Sequence, residues 1–285
     1  MFLAAALLQV AAVTAPVFAP PLDAPLRVVT ERVESGASER RFRMERLVRF
    51  AREESGYRAE VAILGIAGDT PEASGALYEG GFGSLAGQPL VFHLDRAGQV
   101  VAIDGMAGIW GRICRGVADN AAARRNLPAA QRAALTSRIE APLLAMPADR
   151  QRALIGSLVA ALVAEEAGEP LGTKPVRIPG ALPFGGAVTM EGERALSRSG
   201  DAGVRSVTSA SAEAPLAAEG NAPARPGRVE IRMQRDFDPT SGLLTRSVDT
   251  VLTRLGSGAE ARETRRVTTL HVAPAPADAW PKAER

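Results

Sequence analysis

Phe42, Met44, Val48 and Phe50 fall on one parity of a run whose other parity holds Arg41, Arg43, Glu45 and Arg49. A period of two predicts a strand with one dry face and one wet face. Tyr57, Ala59, Val61 and Ile63 repeat the pattern against Arg58 and Glu60, with Glu53-Glu54-Ser55-Gly56 as the turn between the two runs. Leu26 to Glu34 predicts an earlier strand, turned at Ser35 to Ser38. Leu90, Phe92 and Leu94 alternate with Val91, His93 and Asp95, and Asp95-Arg96-Ala97-Gly98 turns the chain into Gln99 to Ile103. Gly65 to Gly87, rich in Gly and Ala, is expected as loop.

The middle of the chain changes period. Met106 to Ala123 is predicted helical, weakened by Gly108, Gly111 and Gly116. Asn126 and Pro128 mark the start of a second helix, with Leu135, Ile139, Leu143 and Met146 on its buried side and Pro142 as a bend or break. A third helix begins near Pro147 to Asp149. Its positions Leu154, Ile155, Leu158, Val159, Leu162 and Val163 form a wide apolar stripe, expected to be core, and Gly168 ends it.

Strands then return. Val188, Met190 and Leu196 suggest one, Val204 to Ala212 another, and Ala214 to Pro226 is expected as a linker. Val229, Ile231, Met233 and Phe237 alternate with Glu230, Arg232, Gln234 and Asp236. Asp238-Pro239-Thr240-Ser241-Gly242 is a turn signal leading into Leu243 to Leu255, and Gly256-Ser257-Gly258 leads to Glu263 to Val272. Strands, helices and strands in that order predict an α+β fold. The expected arrangement is a curved antiparallel sheet, a half-barrel, with the helices packed on its concave face. Neither half has a covering layer of its own. One domain over 26–273 is therefore expected, with a helical insertion at about 106–168 and a flexible tail at 274–285.

Composition adds a core built mainly from Ala, Val and Leu, since 46% of the residues are hydrophobic but only 4% aromatic. Lys174 and Lys282 are the only lysines, so positive charge is almost all arginine. The densest cluster, Arg40, Arg41, Arg43, Arg46, Arg49 and Arg52, is interleaved with Glu39, Glu45, Glu53 and Glu54, and the formal net charge is only +2. Aromatic residues do not alternate with the cluster as single-strand recognition requires. A solvated strand face is expected, with an anionic partner such as a lipid head group or polyanion as the alternative, and no nucleic-acid partner.

Phe2 to Val13 is uncharged and, apart from Gln9, apolar, and Val17-Phe18-Ala19 has the small-x-small form of a cleavage site. Residues 1–19 are expected to be a signal peptide that places the protein in the periplasm. The alternative is an uncleaved anchor, which would tie the protein to the inner membrane through the same residues. Cys114 is the sole cysteine, so no intramolecular disulfide forms, and a buried free thiol is expected. A disulfide-free exported chain suits the periplasm better than a small stapled extracellular domain.

Two stretches carry a family resemblance. Phe92-His93-Leu94-Asp95-Arg96-Ala97-Gly98-Gln99-Val100 precedes the helices, and Thr173-Lys174-Pro175-Val176-Arg177-Ile178-Pro179-Gly180 follows them. With the element order over Leu26 to Val272, the chain resembles the LolA/LppX-like lipoprotein-carrier superfamily and an associated family of uncharacterised exported bacterial proteins. That family pattern continues with a Gly-Asp and a tryptophan, where this chain has Ala181 and Leu182. The resemblance implies a half-barrel with an apolar interior; no functional residue is carried over.

Catalytic chemistry is thinly represented. His93 and His271 are the only histidines. His93 and Asp95 share a strand face, but zinc needs at least three such ligands, so a surface histidine and a turn aspartate are expected. Neither Gly-x-Ser-x-Gly nor Ser-x-x-Lys occurs. Gly80-Gly81-Phe82-Gly83 lacks a following Gly-Lys-Ser/Thr and is expected as loop structure. No catalytic residue, metal or cofactor is assigned. The expected function is a non-catalytic binding or carrier protein of the bacterial envelope, holding a lipid or other apolar ligand between sheet and helices. Phe42, Met44, Val48, Phe50, Phe92, Trp110, Leu158 and Leu162 are the expected cavity residues. The alternatives are an envelope assembly protein with a filled core and envelope protein partners, and a hydrolase of unfamiliar type.

Overall fold

The computed structural model describes residues 18–36, 38–68, 76–123, 125, 127–181, 187–200, 203–216, 225–256 and 261–281. Five strands come first: β1 (Leu26–Ser35), β2 (Glu39–Glu53), β3 (Gly56–Gly68), β4 (Pro89–Asp95) and β5 (Val100–Ile103). Three helices follow, α1 (Met106–Ala123), α2 (Ala129–Leu144) and α3 (Ala148–Ala160). The chain then forms β6 (Gly172–Ala181), β7 (Ala187–Ser199), β8 (Gly203–Leu216), β9 (Arg225–Asp238), β10 (Leu243–Leu255) and β11 (Arg262–Pro274).

All the strands join one open antiparallel sheet in the order β5-β4-β3-β2-β1-β11-β10-β9-β8-β7-β6. The fold is broadly α+β. The first strand pairs with the last, with Val28 opposite Val272 and Thr30 opposite Leu270. The sheet edges are therefore β5 and β6, the strands on either side of the helices in sequence.

The Lys174-Pro175-Val176 segment becomes the edge strand β6. An edge suits Pro175 and Pro179, which have no N–H to give to a ladder. The glycine-rich stretch expected as loop is more ordered than its composition suggests. There β3 runs on to Gly68, and a π-helical turn (Ala76–Phe82) and a 3-10 turn (Gly83–Leu85) follow. The turn packs on α1 by direct backbone approach. A Cβ at Gly116 would lie 2.0 Å from the Gly80 carbonyl oxygen, and one at Gly80 would lie 2.3 Å from that of Gly116. Of the three glycines that weaken α1 as a helix, Gly116 thus permits this close contact.

The third helix stops at Ala160, short of Gly168, because the following backbone is committed to the sheet. The Ala164 N–H donates to the Gly242 carbonyl (2.8 Å), and the Leu244 N–H donates to the Leu162 carbonyl (2.9 Å). These bonds clip the end of the helical segment to the β9–β10 turn.

Phe50, Tyr57, Ala59, Val61, Leu90, Phe92 and Leu94 face the helices and pack with Ile109, Trp110, Ile113, Cys114, Ile155, Leu158 and Leu162 in one core. Cys114 is buried and free. The opposite face of β1–β3 carries the charged ladder, with Arg27 3.2 Å from Glu45, and Arg49 and Arg58 both on Glu60. Trp280, from the C-terminal segment, lies on this face with its ring 4.3 Å from the Arg49 guanidinium carbon.

Residues 1–17 lie outside the described residues, whereas Phe18 and Ala19, the last two residues of the expected signal peptide, are described. The chain beside the expected cut is built into the core. Phe18 meets Phe50 and Tyr57 edge-on, with ring centroids 5.7 and 5.2 Å away. Tyr57 donates its hydroxyl to the Phe18 carbonyl (2.9 Å), and the Ala19 N–H donates to Ser241 (2.8 Å). Gly98 leaves room for the Phe18 ring, since a Cβ there would come within 2.9 Å of it. Phe18→Ala should therefore destabilise the protein by about 3 kcal/mol, the usual cost of emptying an aromatic socket. Equilibrium urea unfolding measures this; a change within about 0.5 kcal/mol would show that the ring is not part of the folded core.

Candidate functional site

Strand register places a polar band across the helix-bearing face. Met44, Thr30, Leu270, Ser247, Arg235, Ser206 and Leu196 are successive neighbours from β2 to β7. The next row holds Phe42, Arg32, Thr268, Asp249, Met233, Thr208 and Arg194. Period-two alternation points these side chains toward the helices. The face that is aliphatic and aromatic over β3–β5 is hydroxylated and charged over β8–β11.

The charges are held in a few buried contacts. Glu166, just after α3, is 1% exposed. It accepts from Ser206 Oγ (3.2 Å) and faces Arg235 Nη1 at 3.4 and 3.5 Å. Arg194 donates to Glu169 (3.1 Å) and to Thr208 (3.2 Å), and Lys174 Nζ lies 2.7 Å from Glu169. Asp249 is half-buried, and its Oδ1 has no hydrogen-bond donor among the described residues. Burial raises its pKa above the ordinary carboxylate value; Arg235 opposes the shift and Glu166 adds to it.

Arg46 belongs here as well. The arginine cluster around it was expected to be solvated, but Arg46 is 2% exposed and points at the helices. The reason is parity: it shares the face of Met44 and Val48. Nε donates to the Leu158 carbonyl at the end of α3 (3.1 Å), and Nη1 donates to Thr30 Oγ1 (2.9 Å). Burial pulls its pKa down to about 10, so it stays charged at neutral pH.

A cavity of about 240 Å³ lies between this band and the end of α3. Met44, Tyr78, Phe82, Leu158, Leu244 and Leu270 form its apolar wall; Thr30, Arg46, Arg235, Ser247, Asp249 and Thr268 form the polar one. Of the residues expected from sequence, Met44 and Leu158 line it. Phe42 borders a separate open groove of about 410 Å³ beside Arg32 and Arg43. Val48, Phe50, Phe92, Trp110 and Leu162 are buried in the filled core, where Trp110 Nε1 donates to the Leu143 carbonyl (3.0 Å). The polar wall was missed. Its signal is a charged or hydroxylated residue at the apolar parity of a strand, as with Arg46 in β2 and Arg235 in β9.

Among the described residues no cluster suits a metal ion. His93 and His271 stand apart, on β4 and β11. The His93 ring nitrogens lie 2.9 Å from Glu53 and 3.0 Å from Asp104, on the face away from the helices. No described helix is long and apolar enough to cross a membrane.

The chain matches no protein-family model and no curated protein. Among solved structures it matches the crystal structure of an outer membrane channel from Pseudomonas putida at 6% identity, covering 90% of this chain and 98% of that one. The TM-score of 0.20 is too low to carry over fold or function.

Two outcomes are expected. Arg235→Met should cost about 3–5 kcal/mol by leaving Glu166 buried without its cation, and adding Glu166→Leu should recover much of that loss. Denaturation of the single and double variants checks it; equal stability of wild type and single variant would show that the pair is not formed. The hydrogen bonds from Glu53 and Asp104 raise the His93 pKa. Its folded value therefore lies above the unfolded one, so its stabilisation is complete below about pH 6.5 and lost as pH rises through the folded pKa. The stability gap between wild type and His93→Gln should be wider at about pH 5.5 than at about pH 8.5. A gap independent of pH would contradict this.

Proposed function

We propose that this is a non-catalytic binding or carrier protein of the bacterial envelope that holds an amphipathic ligand between its sheet and helices. The cavity at the end of α3 carries this reading, because one wall is apolar and the other holds Arg46, Arg235 and Asp249. Binding sites commonly combine an apolar lining with a few placed polar groups. At about 240 Å³ the cavity takes a head group and a short length of chain. The rest of a ligand has a path along the same face of the sheet. There Val251, Ile231 and Ala210 form the next row beyond Asp249, and Met190, Ala212 and Val229 lie farther on.

The sheet supports the reading if it bows into a half-barrel around the helices, the arrangement of the LolA/LppX-like carriers. Export through the apolar N-terminal residues and a periplasmic location belong to the same proposal, with Phe18 retained in the folded core, so that any cut falls before it rather than after Ala19. A specific observation favours a second reading, an envelope assembly protein. The space between β2–β5 and the helices is filled, with Phe50, Phe92, Leu162 and Ile155 fully buried.

Native mass spectrometry of the full chain purified from cells separates the two. The carrier reading expects a bound small molecule that solvent extraction removes, with a lower melting temperature afterwards. Protein that carries nothing, and whose melting temperature added amphiphiles leave unchanged, favours the assembly reading.

A further inference from the structure

Within the carrier reading, the geometry points to a ligand with an anionic oxygen head, a carboxylate or phosphate, that pairs with Arg46. The inference rests on a contrast between the two arginines that line the cavity. Arg235 has a carboxylate, Glu166. Arg46 is the more buried of the two, and no carboxylate lies within ion-pair distance of it among the described residues.

A guanidinium offers five donors. Those of Arg46 reach the Leu158 carbonyl and the Thr30 hydroxyl, with a long 3.9 Å approach to the Met44 sulfur. Its Nη2 donates to no described residue. A neutral carbonyl and a hydroxyl satisfy hydrogen bonds but do not balance the charge, and an uncompensated buried charge is strongly unfavourable. The cavity wall that Arg46 lines also holds Tyr78, close enough to act on the guanidinium electrostatically and able to donate a hydroxyl.

The acids lining the same cavity do not fill this place. Glu165 is exposed. Asp249 sits on β10, with β1 and β11 between it and β2, and makes no ion pair with Arg46. An anion at Arg46 lies at the β2 side of the cavity, and its tail runs past Met44 and Leu270 toward the apolar rows of β8–β10. Charged, bidentate pairing is what Arg supplies better than any other side chain.

Calorimetric titration of the full chain after solvent extraction, with probes below their micelle concentrations, tests the assignment. The probes are laurate, lauryl phosphate, dodecanol and inorganic phosphate. Laurate or lauryl phosphate should bind on the order of tenfold or more tighter than dodecanol, with inorganic phosphate weaker than either. Arg46→Met should abolish the preference over dodecanol, and Arg46→Lys should retain part of it. Because the wild-type comparison needs no variant, a misfolded Arg46→Met leaves the test intact. Equal binding of laurate and dodecanol overturns the anionic head while leaving the carrier reading. Inorganic phosphate binding as tightly as the tailed anions overturns the amphiphile. No binding by any probe overturns the carrier reading together with this one.

Discussion

The hydrogen-bonded pairing of β1 with β11 decides where everything else in this protein can lie. It puts the first and last strands side by side inside the sheet, so β5 and β6 become the edges. Those two strands flank the helical segment in sequence. Ten inter-strand steps at about 4.8 Å put the edges roughly 48 Å apart if the sheet were flat. The chain from Ile103 to Gly172 must cover that span, and the crossing lays α1–α3 over one face. The clip at Ala164 and Leu244 is a midway anchor on this path. A sheet joined in simple sequence order, without the β1–β11 pairing, would not require the crossing.

The crossing covers the face unevenly, and that unevenness makes the site. The first helix with its π-helical turn, and α3, pack on the β2–β5 side, while the chain beyond Ala160 passes β8–β10 as turns. Polar side chains of those strands therefore meet backbone and scattered side chains rather than a continuous helix. Glu166 enters this space with Arg235 and Ser206 as partners. Buried pairs of this kind add little to stability compared with well-packed aliphatic residues. They are concentrated beside one cavity, where Arg46 and Asp249 are less completely paired, and this is the arrangement on which the proposed ligand recognition rests.

Much of the fold was legible because alternation reports which face a residue occupies. It marked β2, β3, β4 and β9, and the apolar stripe of α3 identified its buried side. Reading one face at a time also hid the site. In β2 the apolar parity runs Phe42, Met44, Arg46, Val48, Phe50, and in β9 it runs Val229, Ile231, Met233, Arg235, Phe237. An arginine in such a series is easily assigned to the charged face, because a single exception does not break the pattern. Register across strands is what turns those exceptions into a site, by setting Arg235 between Ser247 and Ser206. No local sequence signal encodes that pairing. Pro175 and Pro179 obscured β6, since prolines argue against a strand until the strand is known to be an edge.

Side-chain size explains why the interior is filled on one side and open on the other. Over β3–β5 the sheet presents Tyr57, Phe92, Leu90 and Leu94, long enough to interdigitate with Ile113 and Ile155. At the cavity short side chains stand among the long ones, with Ser157, Ala160 and Ala161 at the end of α3 and Thr30, Ser247 and Thr268 on the strands. The cavity of about 240 Å³ is partly open to solvent, and the hydroxyls and charges on one wall suit it to water rather than to a dry void. In the proposed carrier, a ligand that pairs with the same groups would lay its apolar part against Met44, Leu158 and Leu270. The small residues and the polar wall thus act together: the first make the space, and the second keeps it wettable.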